Sequence, residues 1–240
     1  VLPPCRAGNA RVMTCRFHGW AYAPDGHCIK IKNQESGFPQ PGFDRAEFDL
    51  KPVPLVADYR GFIFGCLDGA ATTLENHLGE ARYFIDMFAE QSQNGLEILP
   101  GSQTYVCDHN WKYQAENVTD GYHVGTVHRN FATTLAARAA REGTEGLLKT
   151  ETGRISGNVA NGCYYLGGGH IALWADRASP EAAPLFPATQ MIDREPGGAM
   201  AEWMLRRGRN VLIFPNLVLN DLASTHFCLL YTSPSPRDRG

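Results

Sequence analysis

Several features that define broad classes of protein are missing from this sequence. It contains no uninterrupted apolar run of the ~20 residues that a membrane-spanning helix requires. Its formal net charge is only −3, so no excess of basic residues favours a nucleic acid or an anionic membrane as a partner. Its seven cysteines are scattered, unlike those of small disulfide-stapled secreted proteins. We therefore expect a cytoplasmic protein, with no membrane and no nucleic acid as partner, whose thiols can bind metal.

What the sequence does contain divides it into an all-β part and a part that mixes helices with strands. Residues 1–68 are rich in Gly, Pro and short β-type runs, and the apolar run at 61–65 predicts a buried strand. Beyond residue 69, apolar residues recur at helical spacing over 74–88 and predict a helix there. This order of elements predicts an α+β fold with two domains, residues 1–68 and 69–227.

The second part carries further local signals. Asn110 is a candidate N-cap for a helix that begins at Trp111. Residues 132–146 favour either a helix or a loop, and a short helix is expected over 191–206. Strand patterns occupy residues 104–107, 161–174, 210–214 and 217–219.

Both ends of the sequence suggest interruptions of a longer protein. It begins Val1-Leu2-Pro3-Pro4 without an initiator Met, and its strand pattern stops abruptly after Phe227. Residues 228–240 look like the translation of a sequencing-library adapter. We therefore expect a non-native tail there and leave it out of the fold prediction.

The first part brings a cysteine and a histidine close together in one turn. Cys15 and His18 are separated by two residues, and Gly19 supplies the permissive backbone that a tight turn needs. A thiolate and an imidazole at this spacing can both face a metal. The pair alone is ambiguous, because half-sites for structural zinc have similar spacing and a Cys near a His is common.

The second part pairs a carboxylate with an imidazole. On a helix, Asp120 and His123 would lie on one stripe together with Glu116. The carboxylate can then accept the second ring N–H of His123 and fix the tautomer that binds metal.

A further histidine, His128, follows His123 by five residues. On an ideal helix this spacing places the two side chains about 140° apart, so both reach one ion only if the helix ends or distorts between them. Gly121 and Gly125 permit such a break. The alternative is two buried histidines with ordinary hydrogen bonds.

The wider sequence around both clusters resembles the Rieske-type ring-hydroxylating oxygenases. Cys15-x-x-His18-Gly-Trp, followed by Ala-Tyr and a Pro-Asp-Gly turn, is similar to the second ligand loop of a Rieske iron–sulfur domain. Residues 110–117, with Asp120-x-Tyr-His123-x4-His128 after them, look like the mononuclear iron motif of these enzymes. The resemblance covers residues 1–227 and is closest to the large (α) subunits of benzoate, toluate and anthranilate dioxygenases.

This resemblance implies a fold and two iron cofactors. Residues 1–68 would be the C-terminal part of a Rieske domain, and residues 69–227 the N-terminal part of a helix-grip (START-like) catalytic domain with an antiparallel sheet. Cys15 and His18 would bind different irons of a [2Fe–2S] cluster. His123 and His128 would bind a mononuclear Fe(II) that has a carboxylate as its third ligand.

The resemblance also implies a role for Asp120 and two missing ligand sets. Asp120 resembles a bridging carboxylate that links His123 to a Rieske histidine of the neighbouring subunit. The family's other Rieske loop, Cys-x-His, is absent from this sequence, and its third iron ligand is an Asp expected beyond residue 227. Asp221 falls too early for that role. We therefore expect this chain alone to be inactive.

The implied activity is that of the terminal oxygenase of an aromatic ring-hydroxylating dioxygenase. Such an enzyme adds both atoms of dioxygen to a benzoate-like aromatic acid and gives a cis-diol. Electrons from NADH would arrive through a reductase, with or without a ferredoxin, and the assembly would be a homotrimer or an α3β3 ring with a small β subunit. The alternatives are a Rieske monooxygenase or demethylase, a non-catalytic Rieske electron-transfer protein, and a zinc-stabilised Cys/His binding domain.

The other cysteines and histidines have no ligand-like partners in the sequence. Small core residues are expected at Cys28, Cys66, Cys107 and Cys163. Structural or solvated side chains are expected at His27, His77, His109, His170 and His226. Asn117 and Tyr122 either line a pocket or pack in the core.

Overall fold

The chain forms two units, Val1–Ala71 and Thr72–Gly240, and this division lies close to the expected boundary after residue 68. The structure is a computed structural model that describes residues 9–39, 41–91, 96–98, 104–142, 159–177, 199–221 and 227–230, the last four by their backbone. In these residues helices combine with antiparallel sheets, so the α+β class is confirmed. None of their helices has both the length and the apolar character needed to cross a lipid bilayer.

The first unit is built from short antiparallel strands. Its elements are β1 Met13–Thr14, β2 Ala21–Tyr22, β3 Cys28–Lys30, α1 Gln34–Gly37, a 3-10 helix at Arg45–Phe48, β4 Leu55–Tyr59 and β5 Phe62–Cys66. Strands β1, β2 and β3 form one sheet, while β4 and β5 form a hairpin. The turn between β2 and β3 contains Gly26 with φ +96°, a conformation that a Pro-Asp-Gly sequence favours.

The hairpin has one covered face and one exposed face. Arg60 and Gly61 join its strands and both have positive φ, +54° and +85°, as two-residue hairpin turns require. Because successive side chains of a strand point to opposite faces, Ile63 is 70% exposed. The strand expected at 61–65 is therefore present as β5, but the prediction that it is buried is wrong.

Two helices in the second unit replace the single helix expected over 74–88. They are α2, Leu74–Leu78, and α3, Ala81–Ala89. Gly79 has φ +49° between them, which interrupts the helix and shifts the phase of the apolar stripe. Tyr83, a member of the predicted stripe, is consequently 47% exposed. The buried residues of the two helices are Leu78, Ala81, Phe84, Ile85, Met87 and Phe88.

A five-stranded antiparallel sheet organises the second unit. Its strands are β6 Asn161–Tyr165, β7 Ile171–Asp176, β8 Arg207–Ile213, β9 Leu217–Asp221 and β10 Phe227–Leu230. They lie in the order β10-β9-β8-β7-β6, so β8 is central. The three strand regions expected between residues 161 and 219 are therefore confirmed, and the glycines at 167–169, all with positive φ, lie between β6 and β7.

Within its described residues this unit has four further helices: α4 Lys112–Thr119, α5 Val124–Val127, α6 Arg129–Glu142 and α7 Ala199–Arg206. Helix α4 packs on the sheet, where Ala115 and Val118 share a buried apolar cluster with Leu212 and Val218. This packing places the C-terminal end of α4 over the central strand.

The N-cap position of this helix falls on Trp111 rather than on the expected Asn110, although the Asn110 side chain still bonds the first helical N–H. The side-chain oxygen of Asn110 accepts a hydrogen bond of 2.9 Å from the N–H of Lys112, where α4 begins one residue later than predicted. Over residues 132–146, for which the sequence favours either a helix or a loop, the structure has helix α6 as far as Glu142. Residues 143–146 and 191–198 lie outside the described residues.

Two local expectations are wrong. Residues 104–107 form no strand in the described part of the chain, and Tyr105 and Val106 are 78% and 88% exposed. An apolar run becomes a strand only where another strand pairs with its backbone groups, and the described strands pair elsewhere. Cys107 and Cys163 are exposed rather than core residues, whereas Cys28 is buried as expected.

Strand β10 includes the first residues of the segment expected to be a non-native tail. It pairs antiparallel with β9, with Phe227 opposite Asn220 and Leu230 opposite Leu217. Residues 228–230 therefore extend the sheet by backbone pairing, and residues 231–240 lie outside the described residues.

A buried ionic cluster surrounds Asp221 at the end of β9. Its carboxylate accepts hydrogen bonds from Arg177 Nη2 at 3.4 Å, from Gln91 Nε2 at 3.2 Å and from Arg209 Nη2. The side chains of Asp221 and both arginines are at most 3% exposed. Burial, and then the charge of Arg177, lowers the pKa of Arg209 to about 9, so the guanidinium remains a cation at neutral pH. Asp221 is a counter-ion here, which agrees with leaving it out of the metal ligands.

His170 is a fully buried histidine that connects three segments. Its Nδ1 accepts a hydrogen bond from the N–H of Phe214 at 2.9 Å, so the ring proton lies on Nε2, which donates to the carbonyl of His77 at 2.8 Å. His77 Nε2 in turn donates to the carbonyl of Phe214 at 3.2 Å. Burial lowers the pKa of His170, so the buried ring is neutral and its role is structural.

Candidate functional site

The turn that joins β1 and β2 carries Cys15 and His18. The N–H of Cys15 donates to the carbonyl of Trp20 at 2.8 Å, and the N–H of Gly19 donates to the carbonyl of Cys15 at 2.9 Å. Gly19 has φ +75°, a conformation that few other residues adopt without strain. The tight turn that the sequence predicts around these two residues is therefore present.

The chemistry of this turn suits a metal ligand. The backbone N–H groups of Phe17 and then of His18 lower the pKa of the Cys15 thiol, because they stabilise the thiolate. Cys15 is half-buried, while His18 is exposed at the tip beside Phe17, with ring centroids 4.0 Å apart. A cysteine poised as thiolate and an imidazole in one exposed turn fit one half of a [2Fe–2S] site with two Cys and two His ligands.

Aromatic packing supports the same turn. Trp20, its last residue, lies edge-on to Phe48 at 5.4 Å and to Phe38 at 6.0 Å, measured between ring centroids. Phe43 stacks on Phe48 at 5.1 Å. These contacts anchor the exit of the turn to the rest of the first unit.

The second cluster begins where helix α4 ends. Thr119 is the last helical residue, and Asp120 is extended, with φ −95° and ψ 112°. The Asp120 carboxylate accepts hydrogen bonds from the N–H of Tyr122 at 2.6 Å and from Nδ1 of His123 at 2.8 Å. These two bonds, the one from His123 first, lower the pKa of Asp120. The carboxylate is therefore ionised at neutral pH and holds the ring proton of His123 on Nδ1, which leaves Nε2 as a lone-pair donor.

The contact between Asp120 and His123 is confirmed, but the helical stripe that led to it is wrong. A helical stripe through Glu116 would require α4 to continue, whereas the backbone leaves the helix at Asp120 and Glu116 is exposed. The N–H of Tyr122 bonds the Asp120 side chain instead, a local arrangement with which Asp commonly replaces helical hydrogen bonds.

His128 meets His123 across a single helical turn. Helix α5 is only four residues long, and the two histidines flank it at its N-cap and C-cap positions. Their Nε2 atoms are 3.2 Å apart, and their ring centroids are 5.1 Å apart. The prediction that the helix ends or distorts so that both rings face one point is confirmed.

This geometry fits two ligands of one metal ion. Imidazole nitrogens bind divalent ions at about 2.0–2.1 Å, so two of them in adjacent positions are separated by about 3 Å. The His123 side chain is 16% exposed and that of Asp120 is 45% exposed, so the site is open to solvent. Among the described residues, no group of three or more His, Cys, Asp or Glu side chains converges to hold an ion. The pair therefore offers two nitrogen donors, and no carboxylate converges with them in the described part of the chain.

Asn117 and Tyr122 do not pack in the core. Both are exposed, and Tyr122 is 96% exposed. Sequence reasoning missed Asn210, a buried residue of β8 whose side-chain amide donates to the carbonyl of Val118 at 2.8 Å. The available signal was a polar amide immediately before the apolar residues 211–214, which is unusual for a strand buried under a helix.

Comparison with known proteins adds independent observations. A family model described as the ring hydroxylating alpha subunit (catalytic domain) matches residues 99–239. Toluate 1,2-dioxygenase subunit alpha of Pseudomonas putida is 40% identical over 235 residues, which cover 98% of this chain and 51% of that protein. The large subunit of 2-halobenzoate 1,2-dioxygenase of Burkholderia cepacia is 36% identical over 222 residues, which cover 92% of this chain and 47% of that protein. The chain thus spans about half the length of the curated relatives it matches.

A solved structure shares the fold. Naphthalene 1,2-dioxygenase from Rhodococcus sp., bound to indole, superimposes with a TM-score of 0.62 at 24% sequence identity, over 93% of this chain and 51% of that one. At this identity the likeness concerns the fold. It extends over both units of the chain, each of which contributes one of the two candidate ligand sets.

Proposed function

Because this chain belongs to the family of ring hydroxylating alpha subunits, we propose that it is part of the terminal oxygenase of an aromatic ring-hydroxylating dioxygenase. The proposed substrate is a benzoate-like aromatic acid. Two relatives with more than 35% identity over nearly the whole chain are named for toluate and 2-halobenzoate, and both compounds carry a carboxylate on a benzene ring.

The proposed reaction inserts both atoms of one dioxygen into the ring. Arene, dioxygen, two electrons and two protons give a cis-dihydrodiol, and the electrons come from NADH through a reductase, with or without a ferredoxin. In this proposal the described residues of the chain bind the two iron groups in part and place one proton.

His123 and His128 would hold the mononuclear iron, and Cys15 and His18 would hold part of the [2Fe–2S] cluster. When bound, the cluster supplies electrons and the iron supplies the activation of dioxygen. Asp120 keeps the proton of His123 on Nδ1 and thereby keeps Nε2 available as a ligand. The 3.2 Å separation of the two Nε2 atoms is the observation that carries the proposal.

We also propose that the active assembly is a ring of α subunits, α3 or α3β3. Support comes from the exposure of both candidate groups. Asp120 remains 45% exposed after bonding His123 and Tyr122, so its carboxylate can still accept a hydrogen bond from a histidine of a neighbouring subunit. Phe17 is 79% exposed at the tip of the Cys15 turn, where a neighbouring subunit or a reductase could dock.

The experiment is product analysis of the longer protein that contains this chain, with benzoate, toluate and anthranilate as substrates and with ¹⁸O-labelled dioxygen. The expected product is a cis-diol in which both added oxygens come from one dioxygen. A phenol or an aldehyde with a single labelled oxygen would instead support a monooxygenase or a demethylase. Iron confined to the cluster would indicate an electron-transfer protein, and zinc in place of iron would indicate a structural Cys/His domain.

A further inference from the structure

The end of helix α4 is held by unusual donors. The last four carbonyl groups of a helix have no intrahelical partners and must find others. The carbonyl of Glu116 accepts from the hydroxyl of Thr119 at 3.0 Å, and that of Asn117 accepts weakly from the N–H of Asp120 at 3.4 Å. These two partners are local to the helix.

The last two carbonyl groups are bound by side chains of the sheet. The carbonyl of Val118 accepts from Asn210 Nδ2 at 2.8 Å, and that of Thr119 accepts from the Cys163 thiol at 3.3 Å. Partial desolvation of the sulfur, and then the charge of Asp120, raises the pKa of the Cys163 thiol, so the sulfur keeps its proton and continues to donate. Two strands, β8 and β6, therefore hold the helix end immediately before Asp120.

The orientation of the Asn210 amide is fixed by its neighbours. The carbonyl of Val118 can only accept, so the amide nitrogen must face it. The amide oxygen then accepts from Nδ2 of Asn220 at 3.1 Å, on the adjacent strand β9. Asn210 is 8% exposed, so this pair of bonds is largely shielded from water.

The position of this helix end determines where the segment that carries Asp120 and the two histidines begins. Helix α4 ends before Asp120, and His123 and His128 flank the separate helix α5. The segment after Thr119 also runs close to the sheet, since a Cβ at Gly121 would come within 3.3 Å of Leu173 Cδ1. Ending α4 at Thr119, and holding that end against β8, places the Asp120–His123 pair where it lies.

We propose that Asn210, oriented by Asn220, is a positioning residue for the iron centre. Its amide ends α4 at Thr119 and thereby sets the geometry of Asp120 and His123. This inference rests on the proposed function, because it requires that His123 and His128 bind iron. Cys163 supports the same helix end through the weaker hydrogen bond of a thiol.

The test uses the full-length α subunit with its cluster intact and its mononuclear iron removed by chelation. Asn210→Asp keeps the size of the side chain but replaces the amide donor with an oxygen that faces the Val118 carbonyl. We expect the dissociation constant for Fe(II), measured by anaerobic equilibrium dialysis, to rise about 10–100-fold, as it does when support of a metal ligand is lost. The visible absorbance of the cluster should stay unchanged.

The matched control is Asn161→Asp. Asn161 also donates its amide to a backbone carbonyl, but that carbonyl belongs to Val159, at 3.1 Å, and not to α4, and Asn161 pairs with Ala175 of β7. Its Fe(II) dissociation constant should remain within about twofold of the wild type. An equal loss of affinity in both variants would show a general loss of stability and would overturn the proposal.

A double variant separates positioning from general stability. If Asn210 acts through Asp120, then Asn210→Asp added to Asp120→Asn should weaken Fe(II) binding by much less than the product of the two single effects. Effects that multiply would show that Asn210 acts independently of Asp120, against the proposal.

A second pair of variants keeps the idea testable if Asn210→Asp does not fold. Cys163 is exposed, and Cys163→Ala removes the donor to Thr119 whereas Cys163→Ser retains one. We expect weaker Fe(II) binding in the alanine variant and recovery in the serine variant. Unchanged binding in Cys163→Ala and in a folded Asn210→Asp would overturn the inference while the wild type still binds iron. A wild-type protein with no iron beyond the cluster would refute the proposed function itself.

Discussion

His123 and His128 place their Nε2 atoms 3.2 Å apart although five residues separate them in the chain. Two lone pairs at this distance repel each other unless a proton or a cation lies between them. We therefore expect His123→Ala and His128→Ala to abolish mononuclear iron in the full-length protein while cluster absorbance persists. Total iron, quantified by elemental analysis against cluster absorbance, tests this. His109→Ala is the control, because His109 is exposed and its ring makes local contacts, with the carbonyl of Asn110 and edge-on with Tyr113.

Asp120 supports His123 without being part of the pair. Asp120→Asn keeps the size of the side chain but removes the negative charge that holds the Nδ1 proton. Affinity for Fe(II) should fall about 10–100-fold, as expected for loss of a carboxylate behind a metal-binding histidine. Asp108→Asn, an equal loss of charge at an exposed position before α4, should leave the affinity unchanged. Equal affinities for wild type and Asp120→Asn would contradict the assigned role.

The buried cluster around Asp221 predicts a large effect on stability. Asp221→Asn removes the buried negative charge that Arg177 and Arg209 share, so the free energy of unfolding should fall by about 3–5 kcal/mol. Asp176→Asn is the matched control, because the Asp176–Arg207 pair is partly exposed and should contribute at most about 1 kcal/mol. Urea titrations of the three proteins, followed by far-UV circular dichroism, provide the comparison. Similar urea midpoints for Asp221→Asn and Asp176→Asn would contradict this prediction.

His170 predicts how stability depends on pH. Its pKa is lowered in the folded chain, mainly by burial, while an unfolded histidine titrates near pH 6.5. The unfolded state therefore binds the proton more readily, and stability is lost as pH falls through about 6.5. His170→Phe should be less stable than wild type at pH 7.5, because it loses both hydrogen bonds, but the difference in urea midpoint should shrink at pH 5.5. If the difference in urea midpoint between wild type and His170→Phe is larger at pH 5.5 than at pH 7.5, this prediction is wrong.

Finally, we expect the 240-residue chain expressed alone to hold no intact [2Fe–2S] cluster and to show no turnover with a reductase. In the proposed function, Cys15 and His18 would supply two of the four ligands that such a cluster needs. The visible absorbance of the anaerobically reconstituted chain tests whether a cluster forms. Measurable oxygenation of an aromatic acid by the chain alone would disprove the expectation.

Local signals predicted much of the fold and most of the site. The tight turn around Cys15 and Gly19 and the strands at 161–174, 210–214 and 217–219 depend largely on neighbours in sequence, and they occur where expected. The contact between Asp120 and His123 is also short-range, since three residues separate them. A pattern of this kind needs little information from the rest of the chain.

What the sequence could not show depends on contacts between distant segments. The break of the helix at Thr119 involves Asn210, 92 residues from Val118, and Cys163, 44 residues from Thr119. The strand expected at 104–107 fails for the same reason, because pairing depends on a partner elsewhere in the chain. The exposure of Ile63 likewise reflects which face of the hairpin is covered.

Helix α5 has one more consequence, for metal selectivity. Because a single helical turn separates the two imidazoles, the pair would act as a short-range bidentate chelate. Such chelates follow the Irving–Williams series, in which copper and nickel outcompete ferrous ions. A preparation containing these two nitrogens without an oxygen donor should therefore collect whichever late transition ion is most available. Preference for iron has to come from the harder ligand and from supply in the cell, rather than from the histidines.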